Sequence, residues 1–134
     1  MKEKDIQNLF GKKIKALGAY ELKIWKGPSF PFDAVEPHQE RSLLAVEDTG
    51  LYHKISDYSP NQKPFDCFYL VGISGYVVVV RYVPRETKMA YCFRIKEWLR
   101  MKELVMAGWN GEKPRKSITL DHAKYFSSGM IDLR

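Results

Sequence analysis

Four consecutive valines, Val77 to Val80, stand in the middle of the chain. A strand with one solvated face alternates apolar and polar residues, whereas an unbroken apolar run is typical of a strand covered on both faces. The run therefore predicts a central strand, Tyr76 to Tyr82, in a sheet against which helices pack. The longest apolar stretch, Tyr76 to Val80, is far too short to span a bilayer.

Helical and strand patterns flank this central strand. Apolar residues at helical spacing predict one helix from Asp5 to Leu17 and another from Asp33 to Val46, with Pro37 in its first turn. Gly72 and Gly75 predict a hairpin turn that joins a strand at Phe65–Val71 to the valine strand. Further strands are expected at 19–25, 51–55 and 90–95, with short helices at 97–101 and 121–126. This order predicts an α/β (α+β) fold, with a mixed central β-sheet flanked by helices.

Length and composition set the class of protein. The 134 residues, 45% of them hydrophobic, are expected to form one domain spanning residues 1–134. The net charge of +6 favours a polyanionic partner. Cys67 and Cys92 lie in apolar runs and lack metal-site spacing, so they are expected to be core thiols of a reducing compartment. The residues before the first helix lack the apolar segment of a signal sequence, so we expect a cytoplasmic protein with no membrane partner.

Glu21 and Lys23 are separated by one residue in the first predicted strand. Side chains alternate along a strand, so these two point to one face while Leu22 points to the other. A carboxylate binds a hard cation through oxygen, and a neighbouring ammonium can position a water or stabilise charge on a phosphate. The pair therefore indicates a Mg²⁺-dependent phosphodiesterase site. It is equally typical of surface partners on an exposed strand face.

Three further segments accompany this pair. Ser29-Phe30-Pro31 forms a loop, His38-Gln39 opens a helix, and Arg115-Lys116-Ser117-Ile118 lies near the end of the chain. Together with Glu-x-Lys, these segments resemble the PD-(D/E)xK nucleases, and in particular the RecU-type Holliday junction resolvases. The main match runs from Tyr20 to Leu44. The resemblance implies a restriction-endonuclease-like fold and an endonuclease that acts on DNA.

One feature of that family is displaced in this chain. The family carries a metal-binding Asp on a strand before the Glu-x-Lys strand, where this chain has a lysine-rich helix. The resemblance implies Asp66 as the substitute, because it lies at the start of a hydrophobic strand. We expect a permuted arrangement, in which the unit from Gly50 to Asp66 follows the Glu-x-Lys strand yet pairs beside it. The alternative is that Asp66 is a simple turn carboxylate.

The resemblance also implies roles for individual residues. One or two Mg²⁺ ions, for which Mn²⁺ can substitute, would be held by the carboxylates of Asp66 and Glu21 and the backbone carbonyl of Leu22. Lys23 would position the attacking water or the scissile phosphate. Gln39 would hydrogen-bond the water, the lysine or a phosphate. These assignments make Glu21, Lys23, Asp66 and Gln39 the candidate catalytic residues.

Other charged residues are assigned to binding. Glu36 and Glu40 are expected to form a solvated helix face with Arg41, with Glu40 as an additional candidate metal ligand. Basic residues near the proposed site are expected to contact DNA phosphates and to set position rather than sequence preference. They are Lys12, Lys13, Lys15, Lys26, His38, Lys63, Arg115 and Lys116.

The expected function is Mg²⁺-dependent cleavage of branched DNA, most simply the resolution of four-way Holliday junctions in a bacterium or a phage-infected cell. Symmetric cuts in two strands call for a homodimer with two active sites. Either Tyr76–Tyr82 or the apolar face of the N-terminal helix is a candidate dimer surface. Two alternatives remain open: a nuclease of the same fold that acts on other duplex DNA, and a non-catalytic DNA-binding module.

Overall fold

The computed structural model describes residues 3–13, 18–48, 51–54, 67–70 and 72–133. It contains four α-helices: α1 (Glu3–Lys13), α2 (Pro37–Asp48), α3 (Ile95–Ala107) and α4 (Leu120–Phe126). A single 3-10 turn, Phe32–Ala34, precedes α2. The strands are β1 (Ala19–Trp25), β2 (Phe30–Pro31), β3 (Leu51–Lys54), β4 (Cys67–Leu70), β5 (Gly75–Arg81), β6 (Met89–Arg94), β7 (Ser117–Ile118) and β8 (Gly129–Asp132).

The main sheet has the strand order β1-β5-β6-β8. β5 pairs in parallel with β1 and antiparallel with β6, so the valine strand lies inside the sheet. Val77 to Val80 are all 0% exposed, because helices cover both faces of the sheet. The predicted central strand and the mixed sheet flanked by helices are therefore confirmed.

The two faces of the sheet carry separate hydrophobic clusters. Trp25, Val77 and Val79 point to the face covered by α2 and α3, whose apolar residues complete that cluster. On the opposite face, Val78 packs with residues of α1, including Ile6. The alternation of strand side chains thus places consecutive valines in different halves of the core.

The predicted hairpin before β5 is wrong. β4 pairs antiparallel with β3 in a separate two-stranded sheet, and β5 takes β1 as its parallel neighbour. The segment leading into β5 is held by two backbone hydrogen bonds: Ile73 N donates to Val46 O at 3.1 Å, and Ala19 N donates to Ser74 O at 2.9 Å. This glycine-containing segment therefore brings β5 against α2 and β1, and it does not form a tight turn between adjacent strands.

Both candidate dimer surfaces lie in the core of the described structure. β5 has strand neighbours on both sides and helices over both faces. In α1, Ile6 is 0% and Phe10 is 3% exposed, since the apolar face of this helix packs against the sheet. Neither surface is free to bind a second copy without unpacking the protein.

Several element boundaries differ from those predicted. α1 begins at Glu3, so Asp5 lies within the helix and does not cap it. α2 begins at Pro37, whose missing N–H costs nothing in a first turn. α3 extends to Ala107, well beyond the expected short helix, because Trp98, Met101 and Val105 continue its buried stripe. β8 was not predicted; it adds a fourth strand to the edge of the sheet beside β6.

Cys92 is a buried free thiol on β6, as predicted for a core cysteine. Burial raises its pKa to about 11, because the thiolate would lose its hydration. Cys67 lies at the start of β4. None of the described helices combines the length and the apolar character that crossing a membrane requires.

Gly75 lets β5 approach the backbone of α2. A Cβ at this position would lie 2.6 Å from the carbonyl oxygen of Leu43, which is part of the helix and cannot rotate away. We expect Gly75→Ala to lower the free energy of unfolding by about 2 kcal/mol, because α2 must shift off the sheet. Chemical denaturation measures this change.

The matched control is Gly129→Ala on β8, where an added Cβ meets no atom within 4 Å. It should change stability by less than about 0.5 kcal/mol. Equal stabilities for the two variants would show that α2 is not seated on β5 as described.

Candidate functional site

Glu21 and Lys23 share one face of β1, as predicted. Alternation places them on the same side as Trp25, toward α2 and α3, while Leu22 is buried on the opposite side with α1. The Lys23 Nζ lies 3.4 Å from Glu21 Oε1. Their side chains are 20% and 29% exposed, respectively, so the pair is sheltered by the protein yet reachable from solvent.

Gln39 completes this group from the first turn of α2. Its Nε2 donates a hydrogen bond of 2.8 Å to Glu21 Oε1. Its Oε1 accepts a hydrogen bond of 2.9 Å from the backbone N–H of Glu36. Because the carbonyl side of the amide is committed to a backbone donor, the NH₂ side must face the carboxylate. The fold therefore brings together three of the four predicted catalytic residues, and we call Glu21, Lys23 and Gln39 the carboxylate triad.

The fourth predicted catalytic residue, Asp66, lies outside the described residues. β4, which begins at the following residue, pairs with β3 and not with β1. The predicted pairing of this unit beside β1 is therefore wrong for the described strands: the strand that pairs with β1 is β5. The valine strand is longer, and its four central residues are apolar and fully buried, so it takes the interior place in the sheet.

Glu40 differs most from its prediction. The residue is 7% exposed, and both of its carboxylate oxygens lie 3.2 Å from Lys102 Nζ. Its Oε2 also accepts a hydrogen bond of 2.9 Å from the indole N–H of Trp98. Glu40 is thus neither part of a solvated face nor available to a metal. It joins α2 to α3, one residue away from Gln39.

A sequence signal for this role existed. Glu40 falls on the buried stripe of α2, three residues before Leu43 and six before Val46. A carboxylate on an apolar stripe needs buried donors, and a buried tryptophan N–H needs an acceptor. Glu40 and Trp98 therefore each supply the hydrogen-bond partner that the other needs when it is buried. Glu36, by contrast, is exposed, as predicted.

The two outer segments of the family resemblance meet in the structure. β2 pairs antiparallel with β7, with Phe30 opposite Ile118. The pairing continues through the hydrogen bond from Phe32 N to Lys116 O, at 3.0 Å. Lys116 is exposed and helps to line a cavity of about 180 Å³, which also includes Pro37 at the start of α2.

The remaining predicted DNA contacts are dispersed. Lys26 is exposed just beyond β1, and Arg115 is half-buried with its N–H bonded to Val105 O at 3.1 Å. His38 is exposed on α2 and lies 3.2 Å from Glu36 Oε2, outside the carboxylate triad. Lys12 and Lys13 lie in the last turn of α1. Lys15 and Lys63 lie outside the described residues.

The donor set at the carboxylate triad matches a hard divalent cation in type. Glu21 supplies carboxylate oxygens, which Mg²⁺ and Mn²⁺ prefer, and Gln39 occupies only one of the two. Within the part of the chain that the structure describes, no three His, Cys, Asp or Glu side chains gather to hold a metal. A second carboxylate for a cation at this site stays a prediction, which we assigned to Asp66.

Comparisons with protein-family models, with curated proteins and with solved structures found no match to this chain.

Proposed function

We propose that the protein is a Mg²⁺-dependent DNA endonuclease that cuts branched DNA, most simply four-way junctions. The observation that supports this proposal is the carboxylate triad. Glu21 and Gln39 are 18 residues apart in the chain, yet their side chains are joined by a hydrogen bond of 2.8 Å beside Lys23. A carboxylate, an ammonium and an amide at one partly exposed position suit phosphodiester hydrolysis.

Each member of the triad has a distinct task in this proposal. Gln39 holds Glu21 Oε1, which fixes the carboxylate and leaves Oε2 to face a cation. The ammonium of Lys23 is close enough to exchange its contact with Glu21 for one with a scissile phosphate. Asp66 and the backbone carbonyl of Leu22 would complete the oxygen ligands. Bound Mg²⁺ or Mn²⁺ would supply a water of lowered pKa and neutralise charge on the phosphate.

The partners in this proposal follow from charge and symmetry. A chain with a net charge of +6 gains DNA affinity when its cations displace counterions from phosphates. Cutting two strands of a four-way junction symmetrically requires two active sites, and therefore a homodimer. With β5 and the apolar face of α1 buried, the dimer surface must be formed elsewhere on the protein.

A non-catalytic DNA-binding module is the second candidate. It is favoured because the Glu21 carboxylate already has partners within the protein. Its Oε1 accepts a hydrogen bond from the Gln39 amide and lies beside the Lys23 ammonium. Such a closed group can serve as a structural link between β1 and α2. In that case the protein would bind branched DNA and leave it intact.

The test compares a four-way junction with a linear duplex of the same sequence and length. We expect Mg²⁺ or Mn²⁺ to support cleavage of the junction in preference to the duplex, and EDTA to abolish it. Asp66→Asn should abolish cleavage and retain DNA binding. Asp121→Asn is the matched control, because Asp121 is exposed on α4 and should leave the rate unchanged.

Other outcomes contradict part or all of the proposal. Equal cleavage of the two substrates would identify a nuclease that does not select branched DNA. Binding of the junction without cleavage in any divalent cation would establish the non-catalytic module. Unchanged cleavage by Asp66→Asn would remove that residue from the site.

A further inference from the structure

The carboxyl ends of β1 and β5 carry a concentration of cations and aromatic rings. Trp25 and Arg81 are register partners at the last position of each strand. The Arg81 guanidinium carbon lies 4.9 Å from the centroid of the Trp25 ring. The next residues along the two strands are Lys26 and Tyr82, and the N–H of Tyr82 donates to Trp25 O at 2.8 Å.

Two lysines approach the ring of Tyr82. The Nζ of Lys26 lies 5.8 Å from the ring centroid, and that of Lys88 lies 5.7 Å from it. A cation near an aromatic face gains about 0.5–1 kcal/mol at an exposed site. Two ammonium groups at one ring also repel each other, however, so the fold gains little from having both. This arrangement is better suited to a ligand that carries negative charge.

A fourth cation lies at the turn between these residues. The N–H of Glu86 donates to Val83 O at 3.1 Å, which closes a turn with Pro84 and Arg85 at its centre. Arg85 has a φ of +69°. Proline followed by a residue of positive φ is the pattern of a type II turn, whose third position favours glycine or asparagine. The chain therefore places a long cation where the backbone favours a glycine.

We name Lys26, Arg81, Tyr82, Arg85 and Lys88 the strand-end cluster. Among the residues that the structure describes, none of its four cations makes an ion pair. Glu86 lies in the same turn, is exposed, and makes no ion pair with them among the described residues, so it lowers the net charge here without pairing any one cation. Four unpaired positive charges at one end of a sheet produce a field that attracts polyanions.

Arg81 connects the strand-end cluster to the face that carries the carboxylate triad. Odd-numbered side chains of β1 and β5 point to the same side, so Arg81 shares this face with Glu21 and Lys23. Lys23 is opposite Val79, two residues before Arg81. The Cα atoms of Lys23 and Arg81 are therefore about 8 Å apart, from the residue rise and strand spacing of a sheet. A nucleic acid strand that runs from the triad toward the carboxyl ends of β1 and β5 would reach Arg81 first and the rest of the cluster beyond it.

We propose that the strand-end cluster binds the phosphate backbone of DNA that extends from the carboxylate triad. This inference rests on DNA being the ligand in the proposed function, and it adds a site that leaves cleavage chemistry untouched. Lys26 and Lys88, aligned by Tyr82, contact phosphates on one side. Arg81 contacts the phosphate nearest the triad, and Arg85 contacts one at the turn beyond the end of β5. These contacts fix the position of the DNA and do not read its sequence.

The test measures binding of a four-way junction in EDTA over a series of salt concentrations. For duplex arms, each phosphate contact contributes about 0.9 to the slope of log affinity against log salt concentration. We expect Lys26→Gln combined with Lys88→Gln to reduce the slope by about 1.8. The matched control combines Lys4→Gln with Lys124→Gln, two exposed lysines on α1 and α4, and it should keep the parent slope.

The variant Arg85→Gly removes a proposed DNA contact without destabilising the fold. Glycine accepts positive φ without strain, so this variant should not unfold at a lower temperature than the parent. We nevertheless expect it to reduce the slope by about 0.9. If Arg85→Gly binds the junction more weakly and is no less stable than the parent, Arg85 contacts the DNA.

The three tryptophans provide a readout of position. The indole N–H of Trp25 is buried beneath Arg81 and finds no hydrogen-bond partner within the described part of the chain. We expect its NMR signal to move when the junction is added, while that of Trp98, bonded to Glu40, stays in place. The indole signal that is missing from the spectrum of Trp25→Phe is the one that belongs to Trp25.

The inference fails if the parent protein does not bind the junction, or if the lysine pair and its control change the slope equally. A stationary Trp25 signal in a protein saturated with DNA also overturns it. Because EDTA prevents metal-dependent cleavage, a protein without nuclease activity can still pass this test. An active nuclease can likewise fail it, so the two proposals are judged separately.

Discussion

Glu21→Gln is expected to lower the rate of Mg²⁺-dependent junction cleavage by roughly 100-fold or more. The substitution removes the negative charge that a divalent cation requires, while the shape of the side chain is retained. It keeps an oxygen that can accept the hydrogen bond from Gln39 Nε2, now 2.8 Å from Glu21 Oε1. The measurement is the single-turnover rate of cleavage at saturating DNA.

The stability of this variant should change little. The contact with Lys23 joins two partly exposed groups, and such pairs contribute about 1 kcal/mol or less. Chemical denaturation of Glu21→Gln should therefore nearly superimpose on that of the parent. A loss of activity then reports on the site itself and not on unfolding.

Glu103→Gln is the control for Glu21→Gln. Glu103 is exposed on α3 and makes no ion pair within the described residues. Its substitution should leave the cleavage rate within about twofold of the parent. Undiminished cleavage by Glu21→Gln would mean that this carboxylate holds no catalytic cation.

Glu40→Ala should lower the free energy of unfolding by about 3 kcal/mol. The substitution leaves the indole N–H of Trp98, a residue that is 0% exposed, without its acceptor. It also leaves Lys102 without its carboxylate partner, although the Lys102 side chain is 29% exposed and can turn toward water. Domains of this size have total stabilities of about 5–15 kcal/mol, so the loss is large.

Glu40→Gln distinguishes the two interactions of this residue. Its amide oxygen can still accept from Trp98, while the charge that attracts Lys102 is lost. We expect this variant to be destabilised by less than half as much as Glu40→Ala. Urea denaturation of both variants checks the order, and an Ala variant as stable as the parent would show that Glu40 does not join α2 to α3.

Local pattern was sufficient where a residue's role depends on its own segment. The four valines predict a doubly covered strand because each alternate side chain must find apolar surroundings. The spacing of Glu21 and Lys23 fixes them to one face of β1 for the same geometric reason. Pro37 can occupy only the first turn of α2, since further along its ring would clash with the helix.

Long-range pairing lay beyond such patterns. The residues around Gly72 are compatible with a hairpin, and only the hydrogen bonds to Val46 and Ala19 direct β5 to lie parallel to β1. The stripe position of Glu40 indicates its burial, but its partners Trp98 and Lys102 come from α3 and are brought to it only by packing. The strand-end cluster is likewise divided between residues 26 and 81–88, which meet through the register of two strands.

The amino-acid sequence by itself determined the valine core strand, the shared face of Glu21 and Lys23, and a helix with Pro37 in its first turn. Tertiary structure alone decided the strand order, the partners of Glu40, and the contact of Gln39 with Glu21. The physical reason is the separation along the chain over which each kind of interaction acts. Periodicity and backbone sterics act within one element, whereas hydrogen bonds and charge contacts between distant segments exist only after the chain has packed.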